Sequence, residues 1–328
     1  MVGIIYFMKK FLIFTLFGIF APSVILIISM SCSPNLASPV TATPTPTTLG
    51  FVTQWGGIGT GSGQFESPAG VAADSSGNVF VVDSGNDRVE KFTNAGVFEA
   101  QWGSLGNGNG KFNSPWGIAV DSSGDVYVDD AGNNLIQKFT NTGGFLSQWG
   151  GTGIGMGKFG DTIGVAVDSS NNVYVADMGN NLIQKFTNTG GFLLQWGGGG
   201  QGNGKFGQLA GVSVDASGNV YAADAGNSII QKFTNTGGFL TQWGGIGAED
   251  GKFNTIAGIA TDPSDNIYVS DSDTNLIQKF TGMGAFMTQW GGTGTGNAKF
   301  NSPEGVAVDP SYNVYVADMG NNLIQKFQ

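Results

Sequence analysis

Six tryptophans, Trp55, Trp102, Trp149, Trp196, Trp243 and Trp290, recur at a spacing of 47 residues, and a seventh, Trp116, lies off that grid. A fixed period of this length marks a repeat architecture in which each copy buries its apolar face only by stacking on its neighbours. The fullest copy runs Gly164-Val-Ala-Val-Asp168, Asn172-Val-Tyr-Val-Ala-Asp177, Asn181-Leu-Ile-Gln-Lys-Phe186 and Phe192-Leu-Leu-Gln-Trp196. Each copy offers four short runs rich in branched and aromatic residues. In the second copy they are Gly117–Asp121, Asp125–Asp130, Asn134–Phe139 and Phe145–Trp149, separated by the turn signals Asp121-Ser-Ser-Gly124, Ala131-Gly132-Asn133 and Asn141-Thr-Gly-Gly144. No amphipathic helical window appears after residue 50. Each repeat is therefore expected to be a four-stranded antiparallel meander.

The two ends of the repeat region complete each other. Residues 51–56 are a fourth strand without its first three, and residues 305–327 are three strands without a fourth. This predicts an all-β ring of six blades, a β-propeller over residues 51–328 whose last blade is closed by the N-terminal strand 51–56. Closure of this kind leaves only short, protected edges. A ring complete in one chain is expected to be monomeric.

The first 50 residues carry another pattern. Lys9 and Lys10 precede an apolar run from Phe11 to Ile28 with no acid in it, which reads as the leader of an exported protein or as an uncleaved membrane anchor over residues 1–31. The single cysteine, Cys32, follows that run and is a candidate lipidation site, with a cleaved leader and an incidental cysteine as the alternative. Residues 32–50, rich in Pro, Thr and Ser, read as a tether. One cysteine leaves no disulfide to form within the chain. All 24 acidic residues lie beyond residue 50, against 12 of the 14 basic ones, so the repeat region has a formal net charge of −12. Such a field repels phosphate backbones and argues against a nucleic-acid partner. The chain has no histidine, which removes the commonest general base and a frequent zinc ligand.

The elements Pro-x-Gly-Val-Ala-Val-Asp, Gly-Asn-Val-Tyr-Val-Ala-Asp, Asn-x-(Leu/Ile)-Ile-Gln-Lys-Phe and Gln-Trp-Gly resemble those of the NHL-repeat β-propellers, over residues 51–328. The resemblance implies a six-bladed propeller with a central channel. It implies no single activity. Some similar propellers are lyases or hydrolases that use a metal held by His or carboxylate groups, and others bind nucleic acid through basic faces. This chain lacks both the histidines and the basic face.

In a meander of this order the fourth-to-first and second-to-third connections share one face, and the former are long and glycine-rich. Long loops on a rigid frame are where binding groups usually sit. Among near-identical repeats, the departures mark candidate sites. Just before the first-strand glycine stand Ala69, Trp116, Ile163, Ala210, Ala257 and Glu304, expected to ring the channel mouth. Trp116 offers an aromatic platform and Glu304 a carboxylate. Asp161, Met178 and Met319 are further departures on this rim, and Asp129 replaces the usual Ala or Val before Asp130. Drift at exposed loop positions is the plain alternative.

A repeated ring, Asp83, Asp130, Asp177, Asp224, Asp271 and Asp318, ends the second strands. Six carboxylates around one opening suit a hard cation such as Ca2+. A residue repeated in every blade is more simply explained by a turn that every blade needs. Lys91 and its equivalents through Lys326, one residue before the third-strand Phe, read as solvated positions. The gridded tryptophans read as packing anchors between blades. The expected function is an exported, membrane-tethered binding propeller without catalytic machinery, its partner a protein, peptide or glycan and no cofactor required. A Ca2+-dependent lyase or hydrolase working at the channel mouth is the alternative.

Overall fold

The computed structural model describes residues 49–328; the expected leader, the tether up to residue 48 and Cys32 lie outside the described residues. Six four-stranded antiparallel sheets follow one another around an axis. Blade 1 is built from Pro68–Ala73, Val79–Asp83, Arg88–Phe92 and Phe98–Trp102, and blade 2 from Ile118–Val120, Val126–Asp130, Leu135–Phe139 and Phe145–Gly150. Blades 3, 4 and 5 repeat this from Thr162, Leu209 and Ile256 onward. Blade 6 takes Pro303–Val308, Val314–Asp318 and Leu323–Phe327 from the C-terminal end and Phe51–Gly56 from the N-terminal end. Gln54 pairs with Gln325 and Trp55 with Ile324, and Gly50 and Gln328 exchange backbone hydrogen bonds just beyond the strand. The ring closes as the sequence predicts. Among the described residues the helical segments are single 3-10 turns after second strands.

The blades hold together through aromatic contacts across their boundaries. Trp102, on the outer strand of blade 1, packs against Phe139 of blade 2 at 6.0 Å and against Phe80 of its own blade at 6.3 Å. Trp55 does the same across the closure, meeting Phe92 of blade 1 at 5.9 Å and Tyr315 of blade 6 at 6.2 Å. Such pairs add about 0.5–1.5 kcal/mol each beyond the area they bury. The indole also covers a turn of the next blade: a Cβ on Gly143, whose φ is +85°, would lie 2.7 Å from Trp102. Each apolar cluster draws on two neighbouring blades, as where Ala307, Tyr315 and Ile324 join Phe65, Val81 and Phe92.

At the axis the first strands approach through their glycines. A Cβ on Gly117 would sit 2.7 Å from the Cα of Gly164, and one on Gly305 would sit 2.4 Å from the carbonyl oxygen of Ala69. The repeated glycine therefore sets how closely adjacent blades meet, and with that the width of the channel.

The repeated lysines differ from expectation. Lys138, Lys185, Lys232 and Lys326 are buried. The ammonium of Lys138 stands 5.0 Å from the Tyr127 ring centroid and 2.8 Å from Asp125, while the Tyr127 hydroxyl donates to Asp121 at 2.8 Å. A long stem can carry its charge into a boundary where an aromatic face and carboxylates receive it. The loop lysines do follow expectation: exposed Lys158 donates to the Gly150 carbonyl at 2.7 Å.

Blade 1 varies the internal polar network in a paired way. In blade 2, Gln137 donates to Asp130 at 2.8 Å and to the Lys111 carbonyl at 2.6 Å, and it accepts the Gly110 amide at 2.9 Å. Blade 1 has Glu90 in the glutamine's place, and Arg88 where blade 2 has Leu135. Glu90 still accepts the Gly63 amide, at 2.7 Å. Arg88 fills the donor role, meeting Asp83 at 2.8 Å, Glu90, and the carbonyls of Thr60, Gly61 and Gln64. Burial pushes the Glu90 carboxyl up to about 7 despite the arginine. Removing one member of a buried pair strands the other. Arg88→Leu is expected to cost about 3 kcal/mol or more in chemical denaturation. The double variant R88L/E90Q, which restores the pattern of the other blades, is expected to recover most of that loss. A double variant no more stable than R88L would show that the two positions are not coupled.

Candidate functional site

The fourth-to-first loops and the second-to-third turns meet on one face, as the strand order requires. Asn180 donates from blade 3's turn to the Gly153 carbonyl of the long loop at 2.9 Å, and Asp177 accepts the Gly160 amide at 2.9 Å. The six residues preceding the first-strand glycines, Trp116 and Glu304 among them, line the channel on this face. Below them the bore is walled mainly by Val, Ile and Ala side chains, with Ser213 and Thr261 the polar ones, down to the opposite opening.

Around the mouth the six entries are unequal. Blades 1, 2 and 6 enter through Ser67-Pro68, Ser114-Pro115 and Ser302-Pro303. Each of these serines is in the left-handed region, and its amide donates to a side chain of the preceding blade: Asn322, Asp87 or Asn275, at 2.7–2.9 Å. Blades 3, 4 and 5 have Asp161-Thr162, Gln208-Leu209 and Thr255-Ile256 instead. Among the described residues the side-chain oxygens of Asn134 and Asn181, which face the entries of blades 3 and 4, have no partner. A hollow of about 200 Å3 spans these three entries and is flanked by the stapled blades 2 and 6; its walls include Trp116, Ile163, Met178, Gln208, Ala257 and Glu304, with Leu209, Ala210, Ala225 and Ser272 among the remainder.

Trp116 is fixed by its backbone, donating to the Asp129 carbonyl at 2.9 Å while Asp129 donates back to Gly117 at 2.8 Å. Its indole is half-buried at the rim. Glu304 lies in the first strand of blade 6, and its carbonyl accepts the Ser270 hydroxyl of blade 5. Burial alone pushes the Glu304 carboxyl up to about 7, with no charge or hydrogen bond opposing it. Met178 is half-buried and its sulfur receives the Gln208 amide at 3.3 Å. The structure thus brings Trp116, Ile163, Met178 and Glu304 together. Asp161 and Met319, also half-buried, are not among the residues that wall the hollow. Burial and the nearby Asp177 raise the Asp161 carboxyl.

The repeated aspartates look inward to their own blades. Asp130 accepts the Asn113 amide at 2.8 Å, the Asn133 side chain at 2.9 Å and Gln137 at 2.8 Å. Asp177, Asp224 and Asp318 repeat the arrangement with Asn180, Asn227 and Asn321. Asp271 accepts the amides of Asn254, Thr255 and Thr274, and Asp83 keeps its asparagine and adds Arg88. All six are fully buried, their oxygens engaged in tying loop to turn. Among the described residues, no three His, Cys, Asp or Glu side chains gather into a metal-binding group.

Asp129 is the exception. It is fully buried beside Thr162 of blade 3, and neither carboxyl oxygen has a hydrogen-bond partner. At the same register blade 5 has Ser270, which accepts the Gly258 amide at 2.7 Å and donates across to blade 6. Burial drives the Asp129 carboxyl up to about 8 against the pull of the neighbouring Thr162 hydroxyl, and Asp130 and Asp161 push the same way. The folded state therefore favours the protonated acid. That contribution is full below the ordinary carboxylate range and is lost as pH rises toward about 8. Asp129→Ala, which installs the residue of blades 3, 4 and 6, is expected to raise the melting temperature at pH 8 more than at pH 4. An equal gain at both pH values would contradict a buried, proton-holding carboxyl.

The NHL repeat model matches residues 65–92, 112–139, 162–186, 253–280 and 300–327. No curated protein sequence matches the chain. Among solved structures it is similar to a structural genomics protein of unknown function from Bacteroides thetaiotaomicron, at TM-score 0.66 and 18% identity over 84% of this chain and 76% of that one. It is similar to a catalytically inactive histidine-to-alanine variant of virginiamycin B lyase from Staphylococcus aureus, solved with quinupristin, at TM-score 0.57 and 16% identity over 85% and 88%. It is also similar to a gluconolactonase from Xanthomonas campestris, at TM-score 0.58 and 13% identity over 81% and 88%. At these identities the likeness is one of fold.

Proposed function

Since this chain is a six-bladed β-propeller of NHL repeats, we propose that it is an exported, membrane-tethered binding module that takes a protein, peptide or glycan at the long-loop mouth. The observation that carries this is the lopsided mouth. The hollow spans the entries of blades 3, 4 and 5, which lack the Ser-Pro staples, and it gathers the unrepeated Ile163 and Met178 with Trp116 and Glu304 from the flanking blades 2 and 6. Concave, largely apolar walls with a few convergent polar groups are the usual make-up of a binding site. The direction of the N-terminal strand supports the tether. Phe51 pairs with Phe327 on the short-turn face, and Gly56 pairs with Leu323 at the long-loop face. The closing strand therefore enters the ring on the face opposite the mouth.

A metal-dependent lyase or hydrolase is the second reading, favoured by the enzymes among the fold neighbours. The inactive lyase variant carries a histidine-to-alanine change, and this chain has no histidine to play such a part. The repeated aspartates are already engaged within their blades. Peptide and glycan arrays probed with the purified protein test the binding reading. The double variant W116A/E304A is expected to lose every hit while melting as the parent does. Hits that survive the double variant would place the binding face elsewhere.

A further inference from the structure

The make-up of the hollow also selects a ligand class. Of the residues that wall it, Glu304 is the only ionisable one, and no lysine or arginine is among them. Its carboxyl has neither counter-ion nor hydrogen bond among the described residues. The residue is half-buried, and a cation bound there would offset the partial desolvation of an ionised carboxylate. The half-buried Trp116 contributes an indole to the same walls, and a cation over an aromatic face is attracted by the ring's quadrupole. The repeat region's net charge of −12 draws cations toward the ring as a whole.

The remaining walls decide between kinds of cation. Ile163, Met178, Leu209, Ala210, Ala225, Ile256 and Ala257 offer no side-chain oxygen. Besides Glu304, the side-chain oxygens on these walls are those of Gln208, Thr255 and Ser272. A primary ammonium brings three N–H donors, each of which needs an oxygen from those few groups or from water. A quaternary ammonium brings none; it needs apolar contact, an aromatic face and one anionic charge.

We propose that the mouth binds a quaternary ammonium head group, its methyls against Trp116 and the apolar wall and its charge balanced by Glu304. This rests on the mouth being the binding face. A volume of about 200 Å3 accommodates a head of choline's size.

Titration of the purified full chain with choline, followed by calorimetry, tests the proposal, with ethanolamine and the neutral carbon isostere dimethylbutanol run in parallel. Choline is expected to saturate and the two comparators to bind at least tenfold more weakly. Glu304→Gln and Trp116→Ala are each expected to weaken choline at least tenfold, and Trp116→Phe much less. Affinity is expected to rise with pH through about 7, as the Glu304 carboxyl ionises. Ethanolamine or the isostere matching choline would overturn the proposal, as would no saturation by about 10 mM. If choline fails while array hits still depend on Trp116 and Glu304, the ligand class falls and the binding face stands. If neither depends on them, both fall.

Discussion

Everything in this molecule depends on one antiparallel pairing, that of Phe51–Gly56 with Leu323–Phe327. Without it, blade 6 would expose the edge of its third strand, and Trp55 would not reach Phe92 and Tyr315. An open edge is both a loss of burial and a template for association. With it, each blade has two neighbours and each gridded tryptophan has a partner. The central channel is then a bore of fixed width, set by glycines that let first strands approach closely. That rigidity is what allows a few unrepeated side chains at one end to be held as a site.

Inside the frame, repetition and departure serve different ends. The buried Asp, Asn and Gln of each blade tie the long loop to the second-to-third turn, and burial makes any unmatched change there expensive. Blade 1 shows what a tolerated change requires, since Glu90 in place of glutamine comes with Arg88. Asp129 shows a change without a matching partner, a carboxyl held in its neutral form where other blades place a small side chain. At the mouth, where solvent and loops give more latitude, the Ser-Pro staples of blades 1, 2 and 6 are absent from blades 3, 4 and 5. The hollow lies over the unstapled entries, bounded by Trp116 and Glu304 from the stapled blades on either side.

The frame was legible in the sequence because its signals are repeated six times over. The spacing of the tryptophans, the alternation in each strand and the complementary fragments at residues 51–56 and 305–327 all point to one ring. The mouth residues were legible as departures from the pattern, and Trp116, Ile163, Met178 and Glu304 do come together. Asp161 and Met319 look alike as departures, yet they do not wall the hollow, since sequence distinguishes a change from a repeat without saying which way a loop side chain turns. The lysines before the third-strand Phe misled because a charged residue next to a turn usually faces water. Here Tyr127 and Asp121 receive Lys138 inside a blade boundary, a partnership between strands that no local pattern displays. The free oxygens of Asp129 and Asn134 were equally hidden, since they follow from what the neighbouring blade lacks.

Closure can be tested by moving the closing strand. In blade 2 the third and fourth strands are joined by Thr140-Asn-Thr-Gly-Gly144, so a permutant that carries residues 51–56 after Phe327 through the same five-residue turn keeps every contact of blade 6. Its thermal unfolding, measured beside the parent and beside a chain simply lacking residues 51–56, addresses the ring most directly. The permutant is expected to melt within a few degrees of the parent, and the deletion far below both. A deletion that melts with the parent would contradict closure by the N-terminal strand.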